Sequence, residues 1–258
     1  MKYEEEFMSS IILEICCASA RDVVEAEKGG ADRVELNSGM VYGGLTPSIG
    51  EVEEAKRITN IPIIVMIRPR SGGFCYTDIE FEVMKKDAQA AISAGADGLA
   101  FGILNADGTI DIKRNKILKE IAGDKETVFH RAFDVVPNPI KSIDILIEIG
   151  INRILTSGQE STVEKGINNC RDIIDHSGGR IEILLGGGIR DYNVKKIIEE
   201  TGTKQVHLSA FKEEYDNSTV HQNKVRFNKY EEMPENIYQV TDCNKVRLVR
   251  NIIDNIAL

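Results

Sequence analysis

Eight short runs rich in isoleucine and valine punctuate the chain, near 11–16, 33–36, 62–67, 98–101, 127–130, 153–155, 182–185 and 205–208. Between most of them lie longer stretches whose apolar positions recur at helical spacing, as in 20–28, 81–93, 140–148 and 194–199. Strands separated by amphipathic helices read as βα units around a parallel sheet. Eight such units in 258 residues predict an α/β fold, a single-domain (β/α)8 TIM barrel spanning 1–258. A polar stretch near 212–240, with Tyr215, His221 and Tyr230, reads as a surface loop or arm, and helical spacing resumes near 244–256 in a helix that closes the barrel. A doubly wound open sheet shares this grammar but announces itself by glycines directly after its first strand. Here that strand runs into Cys16, Cys17, Ala18, Ser19 and Ala20, so no nucleotide cofactor is indicated.

The turns entering the strands repeat. Gly30, Gly95, Gly150 and Gly202 each end a helical stretch, with Asp32, Asp97, Asn152 and Lys204 two places on. Glycine accepts the left-handed conformation that terminates a helix, so these turns mark the stability end of the barrel and place the chemistry at the opposite rim.

At that rim, apolar runs end in charge. Glu14, Glu35, Arg68, His130, Arg131, Asp134 and His207 are the candidate catalytic residues. Unpaired charges are costly in a core, so their recurrence at strand ends points to a furnished site. Pro69 keeps Arg68 extended, aiming a guanidinium that suits a carboxylate or phosphate, or that closes an ion pair with Glu14 or Glu35. His130 reads either as a proton shuttle whose tautomer Asp134 fixes or as a hydrogen-bonded structural histidine. The turn Gly186, Gly187 and Gly188, with Arg70, Ser157 and Ser209, is a candidate anion cup. The loop at 38–48 reads as a lid or an oligomer contact, with Thr46 capping the next helix and Pro47 in its first turn. Two-residue alternation puts Glu14 and Cys16 on one face and Cys17 on the other, the cysteines being small buried hydrophobes or a source of one soft-metal ligand or nucleophile.

Bulk composition narrows the partners. Forty-one acidic residues against 32 basic give a net charge of -9, which disfavours nucleic acid and anionic membranes but leaves room for a local basic pocket. No apolar span reaches the roughly 18 residues of a membrane helix, and the acidic start Met1 to Glu6 argues against a secretory signal, so a cytoplasmic location is expected. Five irregularly spaced cysteines fit reduced thiols rather than a disulfide framework.

The tracts from Gly29 to Leu36, Gly43 to Ser48 and Met66 to Arg70 closely resemble the copper homeostasis protein CutC family. So do Gly95 to Gly98, Phe129 to Asp134, Ile154 to Gly158 and Gly186 to Ile189, in order over about 11–211. The resemblance implies a cytoplasmic (β/α)8 barrel assembled as a homodimer or larger homo-oligomer, and a role in copper homeostasis through copper(I) binding with no established reaction. It also implies a metal-binding cysteine at the ends of the first two strands. Cys16 matches the first position, whereas the second is Asn37, which removes half of a two-coordinate soft site. The layout of the residues themselves favours, over a metal shuttle, a TIM-barrel lyase or isomerase acting by acid–base chemistry on a small anionic, phosphorylated or sugar-like substrate, and a purely structural ion-pair network is the other reading.

Overall fold

A computed structural model describes residues 11–222, 224–227 and 234–256. The acidic segment Met1 to Glu6 and Tyr230 of the polar arm lie outside the described residues. Eight parallel strands close into a barrel in chain order: β1 (Ile12–Cys17), β2 (Arg33–Leu36), β3 (Ile63–Met66), β4 (Gly98–Phe101), β5 (Glu126–Phe129), β6 (Arg153–Thr156), β7 (Glu182–Gly186) and β8 (Gln205–Leu208), with β8 pairing back onto β1. The helices between them are α1 (Ala20–Lys28), α2 (Ile49–Ile58), α3 (Asp78–Ser93), α4 (Ile112–Ala122), α5 (Pro139–Ile149), α6 (Ile167–Ser177) and α7 (Val194–Thr201). After β8 the chain forms an antiparallel pair, β9 (Phe211–Tyr215) and β10 (Ile237–Thr241), before α8 (Cys243–Asp254). The arm expected to be a loop therefore contains a two-stranded sheet. Its sequence is too polar to signal burial, and the pairing is supplied by backbone hydrogen bonds instead.

Alternation along each strand separates two cores. Outward residues such as Leu13, Ile15, Cys17, Leu99, Phe101 and Phe129 pack against the helices in the main cluster. Inside the barrel a small cluster, Ile64, Met66, Ala100, Val128, Leu155 and Leu184, fills the side built by β3 to β7. Below and beside it the interior is ionic. Arg33 bonds Glu14 and Gln205, Gln205 bonds Glu182, and Arg153 bridges Glu126 and Glu182.

The repeated turns lie at the base. Gly30, Gly95, Gly150 and Gly202 all have positive φ, between 68° and 94°. Three of the polar residues that follow accept the backbone N–H of a neighbouring strand: Asp32 from Leu13, Asp97 from Ile63 and Asn152 from Thr127, at 2.7, 2.9 and 2.9 Å. The turns entering β2, β4 and β6 thus each fasten the start of the preceding strand, which holds register away from the rim. One cap differs from expectation. Ser48 rather than Thr46 caps α2, with Pro47 ahead of the helix, because the Thr46 hydroxyl accepts the Arg68 N–H at 2.9 Å. Among the described residues no helix is long and apolar enough to cross a membrane.

Candidate functional site

Parallel pairing sets the site. On β1, Glu14 stands opposite Arg33 of β2 and His207 of β8, and two residues further up Cys16 stands opposite Glu35. Paired strands lie only ~4.8 Å apart, so inward side chains in register must touch. His207 Nδ1 meets Glu14 at 2.7 Å, and Glu14 also holds Arg33. Cys16 Sγ, Glu35 and His207 each offer a ligand atom within 4.8 Å of the others. Asn37 links two of them, donating from Nδ2 to Cys16 Sγ at 3.5 Å and to Glu35 Oε2 at 2.9 Å. Above them the short 3-10 turn Met40–Tyr42 brings the Met40 thioether to 3.9 Å from Cys16 Sγ.

Burial tunes these groups. It pushes the Glu14 carboxyl up, but the Arg33 charge, His207 and Arg153 outweigh it and hold Glu14 at about 2. Burial favours neutral His207, yet the hydrogen bond to Glu14 and the charges of Glu35 and Glu14 raise it above its ordinary value. Glu35 is raised by burial and by Glu14, against the opposing pull of His207 and Asn37. The Cys16 thiol is pushed far up by burial and by Glu35, so it carries its proton unless a cation displaces it.

A cavity of about 360 Å³ opens above this cluster at the C-terminal rim. Cys16, Glu35, Asn37, Arg68, His130, Arg131, His207, Gly187, Gly188 and Ser209 line it, together with Met40 and Arg190, for which the sequence carries no signal. Met40 sits in an irregular loop and Arg190 follows the glycine turn, so neither falls on a strand-end pattern.

Other expected residues are placed elsewhere. Glu14 lies beneath the cavity in the ionic sector, 1% exposed. Arg68 reaches neither Glu14 nor Glu35. Its guanidinium instead donates to the carbonyls of Tyr42, Gly43, Gly44 and Gly72, pinning the 38–48 loop over the mouth. Arg70 turns away to pair with Glu80 and lies over Tyr76. Asp134 does not orient His130. It accepts from Arg131, Thr156, Ser157 and the Gln159 N–H, while His130 Nδ1 accepts the Ala132 N–H at 3.2 Å and so starts the 3-10 turn Arg131–Val135. The reason is local: a backbone donor two residues on captures the ring before a carboxylate can. Ser157 is occupied by Asp134 and by the Glu160 carbonyl, and Gly186 ends β7 without lining the cavity.

The CutC family model matches residues 11–212. The chain belongs to the CutC family. A family protein CutC of Treponema denticola is 49% identical over 212 residues, covering 82% of this chain and 86% of that protein. A human protein named copper homeostasis protein cutC homolog is 40% identical over 250 residues, 97% of this chain and 92% of its own length. A CutC structure from Streptococcus agalactiae superposes with a TM-score of 0.73 at 36% identity, covering 76% of this chain and 97% of that one. An aldolase, QR15, shares the barrel at a TM-score of 0.58 and 20% identity over 80% of this chain and 91% of its own, which bears on fold alone. In this CutC family member, the strand-end position expected to carry a second thiol holds Asn37, and the side chains that crowd Cys16 are an imidazole, a carboxylate and a thioether.

Proposed function

We propose that this chain handles copper, holding one copper(I) ion as cargo at the floor of the barrel mouth. The observation that carries this reading is the convergence of Cys16, Glu35 and His207 within 4.8 Å, with the Met40 thioether beside Cys16. Thiolate and thioether sulfur with imidazole nitrogen is a soft donor set that favours copper(I), while carboxylate and water suit harder ions. The His207 ring is held in place by Glu14. Its Nδ1 faces Glu14, which leaves Nε2 for the metal and fixes the ring, an outer-shell arrangement common at metal-binding histidines. The imidazole takes the place of the thiolate missing at Asn37. The copper homeostasis name of the human and mouse relatives supports the same reading.

Competition of the reduced protein against a chromogenic copper(I) chelator tests it. One equivalent should bind, and Cys16→Ser or His207→Gln should each weaken it about 100-fold, or ~2.7 kcal/mol, with Met40→Leu having a smaller effect. Affinity unchanged in both Cys16→Ser and His207→Gln would remove the reading. We place the working protein in the cytoplasm as a homo-oligomer. Val41, Tyr42, Tyr215 and Tyr238, all well exposed near the mouth and on the β9–β10 sheet, give self-association an apolar surface. A monomer mass by light scattering at micromolar concentration would exclude the assembly.

A further inference from the structure

Two buried polar groups in the mouth lack the partners their chemistry calls for, and neither belongs to the copper cluster. His130 is 3% exposed. Because its Nδ1 accepts the Ala132 N–H, the neutral ring carries its proton on Nε2, and that donor is buried with no hydrogen-bond partner among the described residues. An orphan of this kind costs ~1–3 kcal/mol unless something outside the chain satisfies it. Arg68 is 6% exposed and, among the described residues, forms no ion pair. Its four carbonyl partners occupy its terminal nitrogens but bring no opposing charge, and the Tyr76 hydroxyl beside it is neutral as well. The Phe74 ring joins the two, 5.0 Å from the His130 ring centroid and 5.3 Å from the Arg68 guanidinium carbon.

The rest of the lining has the same sign. Arg68, Arg131, Arg190 and His207 face the cavity against one lining carboxylate, Glu35, while Asp134 pairs with Arg131 and Glu14 with His207 from behind the wall, in a chain whose net charge is -9. A concave site with concentrated positive charge draws anions even when the whole molecule repels them. Gly187 and Gly188, with φ of 124° and 76°, bring their backbone to the cavity beside Arg131, whose guanidinium carbon would lie 3.3 Å from a Cβ at Gly187. Any side chain at Gly187 would fill that space.

We propose that the mouth binds a small organic anion bearing a carboxylate or phosphate next to a carbonyl. The carbonyl oxygen accepts from His130 Nε2–H, and the negative group balances Arg68 and the Arg131 and Arg190 side of the cavity. β5 stands diametrically across the barrel from β1, so His130 engages the ligand from the wall opposite Cys16. Burial and the Arg68 charge hold the His130 ring at a pKa of about 3, so it acts as a neutral hydrogen-bond donor to the carbonyl rather than as an acid. A neutral donor on a carbonyl polarises it towards the enolate.

Matched probes test the assignment by calorimetry on the full-length protein: pyruvate against propionate, and hydroxyacetone phosphate against propyl phosphate. At least one carbonyl compound should bind about tenfold tighter than its carbonyl-free partner, ~1.4 kcal/mol. His130→Asn should erase that preference, because the Asn oxygen can still accept the Ala132 N–H while the distal donor is gone. The same variant should keep the wild-type copper(I) affinity and melting cooperativity. Arg190→Gln should weaken all the anions together. The proposal is overturned if no probe binds below about 10 mM, or if the carbonyl preference persists in His130→Asn. Copper titration of the same samples reads the opposite wall, so failure of one assignment is distinguishable from failure of the other.

Discussion

Glu14→Gln is expected to destabilise the barrel by about 3–5 kcal/mol, the typical cost of removing one member of a buried ion pair. The carboxylate is 1% exposed and serves two cations at once, Arg33 and His207. The amide keeps the shape and loses the charge. His207 can respond by releasing its proton, since its elevated pKa depends on Glu14 and Glu35, but Arg33 cannot and stays charged beside Gln205. Urea unfolding should show the midpoint falling with an unchanged slope, and the melting temperature dropping by roughly 10 °C for a chain of this length. The double variant Glu14→Leu with Arg33→Met should recover much of the loss, because it removes both desolvated charges. A loss below about 1 kcal/mol in Glu14→Gln would show that the ionic sector contributes little.

Acidification should destabilise the protein through His130. The ring titrates at about 3 in the fold against its ordinary value of 6.5, driven first by burial and then by Arg68. With the folded value depressed, the unfolded chain binds the proton first, so this contribution is intact above the unfolded value and is lost as pH falls towards the folded one. Between pH 6.5 and about pH 5 it amounts to ~2 kcal/mol at 1.36 kcal/mol per unit. Glu35 acts in the opposite sense, since its raised pKa means stability is lost as pH rises through the folded value. The informative quantity is therefore the difference between wild type and His130→Asn across that window, followed by chemical denaturation at each pH. Curves that fall in parallel would assign the acid sensitivity to other groups.

The same residues show how far local pattern reaches. His130 is legible as a charged strand end, and its alternation with Phe129 correctly separates the cavity wall from the helix-packed core. What it does there is not legible, because the choice between Asp134 and the Ala132 N–H as its partner depends on the backbone of a five-residue 3-10 turn. Arg68 is legible as a charged strand end before Pro69, yet three of its partners are carbonyls of a loop 24 to 26 residues earlier in the chain. Met40 and Arg190 leave no trace, since a single methionine in a loop and a single arginine after a glycine turn have no periodicity to betray them.

Strand and helix periodicity, the four left-handed glycine turns and the face on which Glu14, Cys16 and Cys17 lie are local properties, set by two-residue and 3.6-residue repeats and by backbone sterics. They are written along the chain, and with them the barrel and the rim at which the cavity opens. Closure belongs to three dimensions. Pairing β8 onto β1 brings His207 to Glu14 across 193 residues and sets His207 beside Cys16 and Glu35. The eight strands in order also set His130 on the wall opposite. Such contacts follow from register and barrel geometry, which no window of sequence contains. The donor set around Cys16 and the orphaned donor at His130, on which the copper and anion proposals rest, therefore exist only in the folded chain.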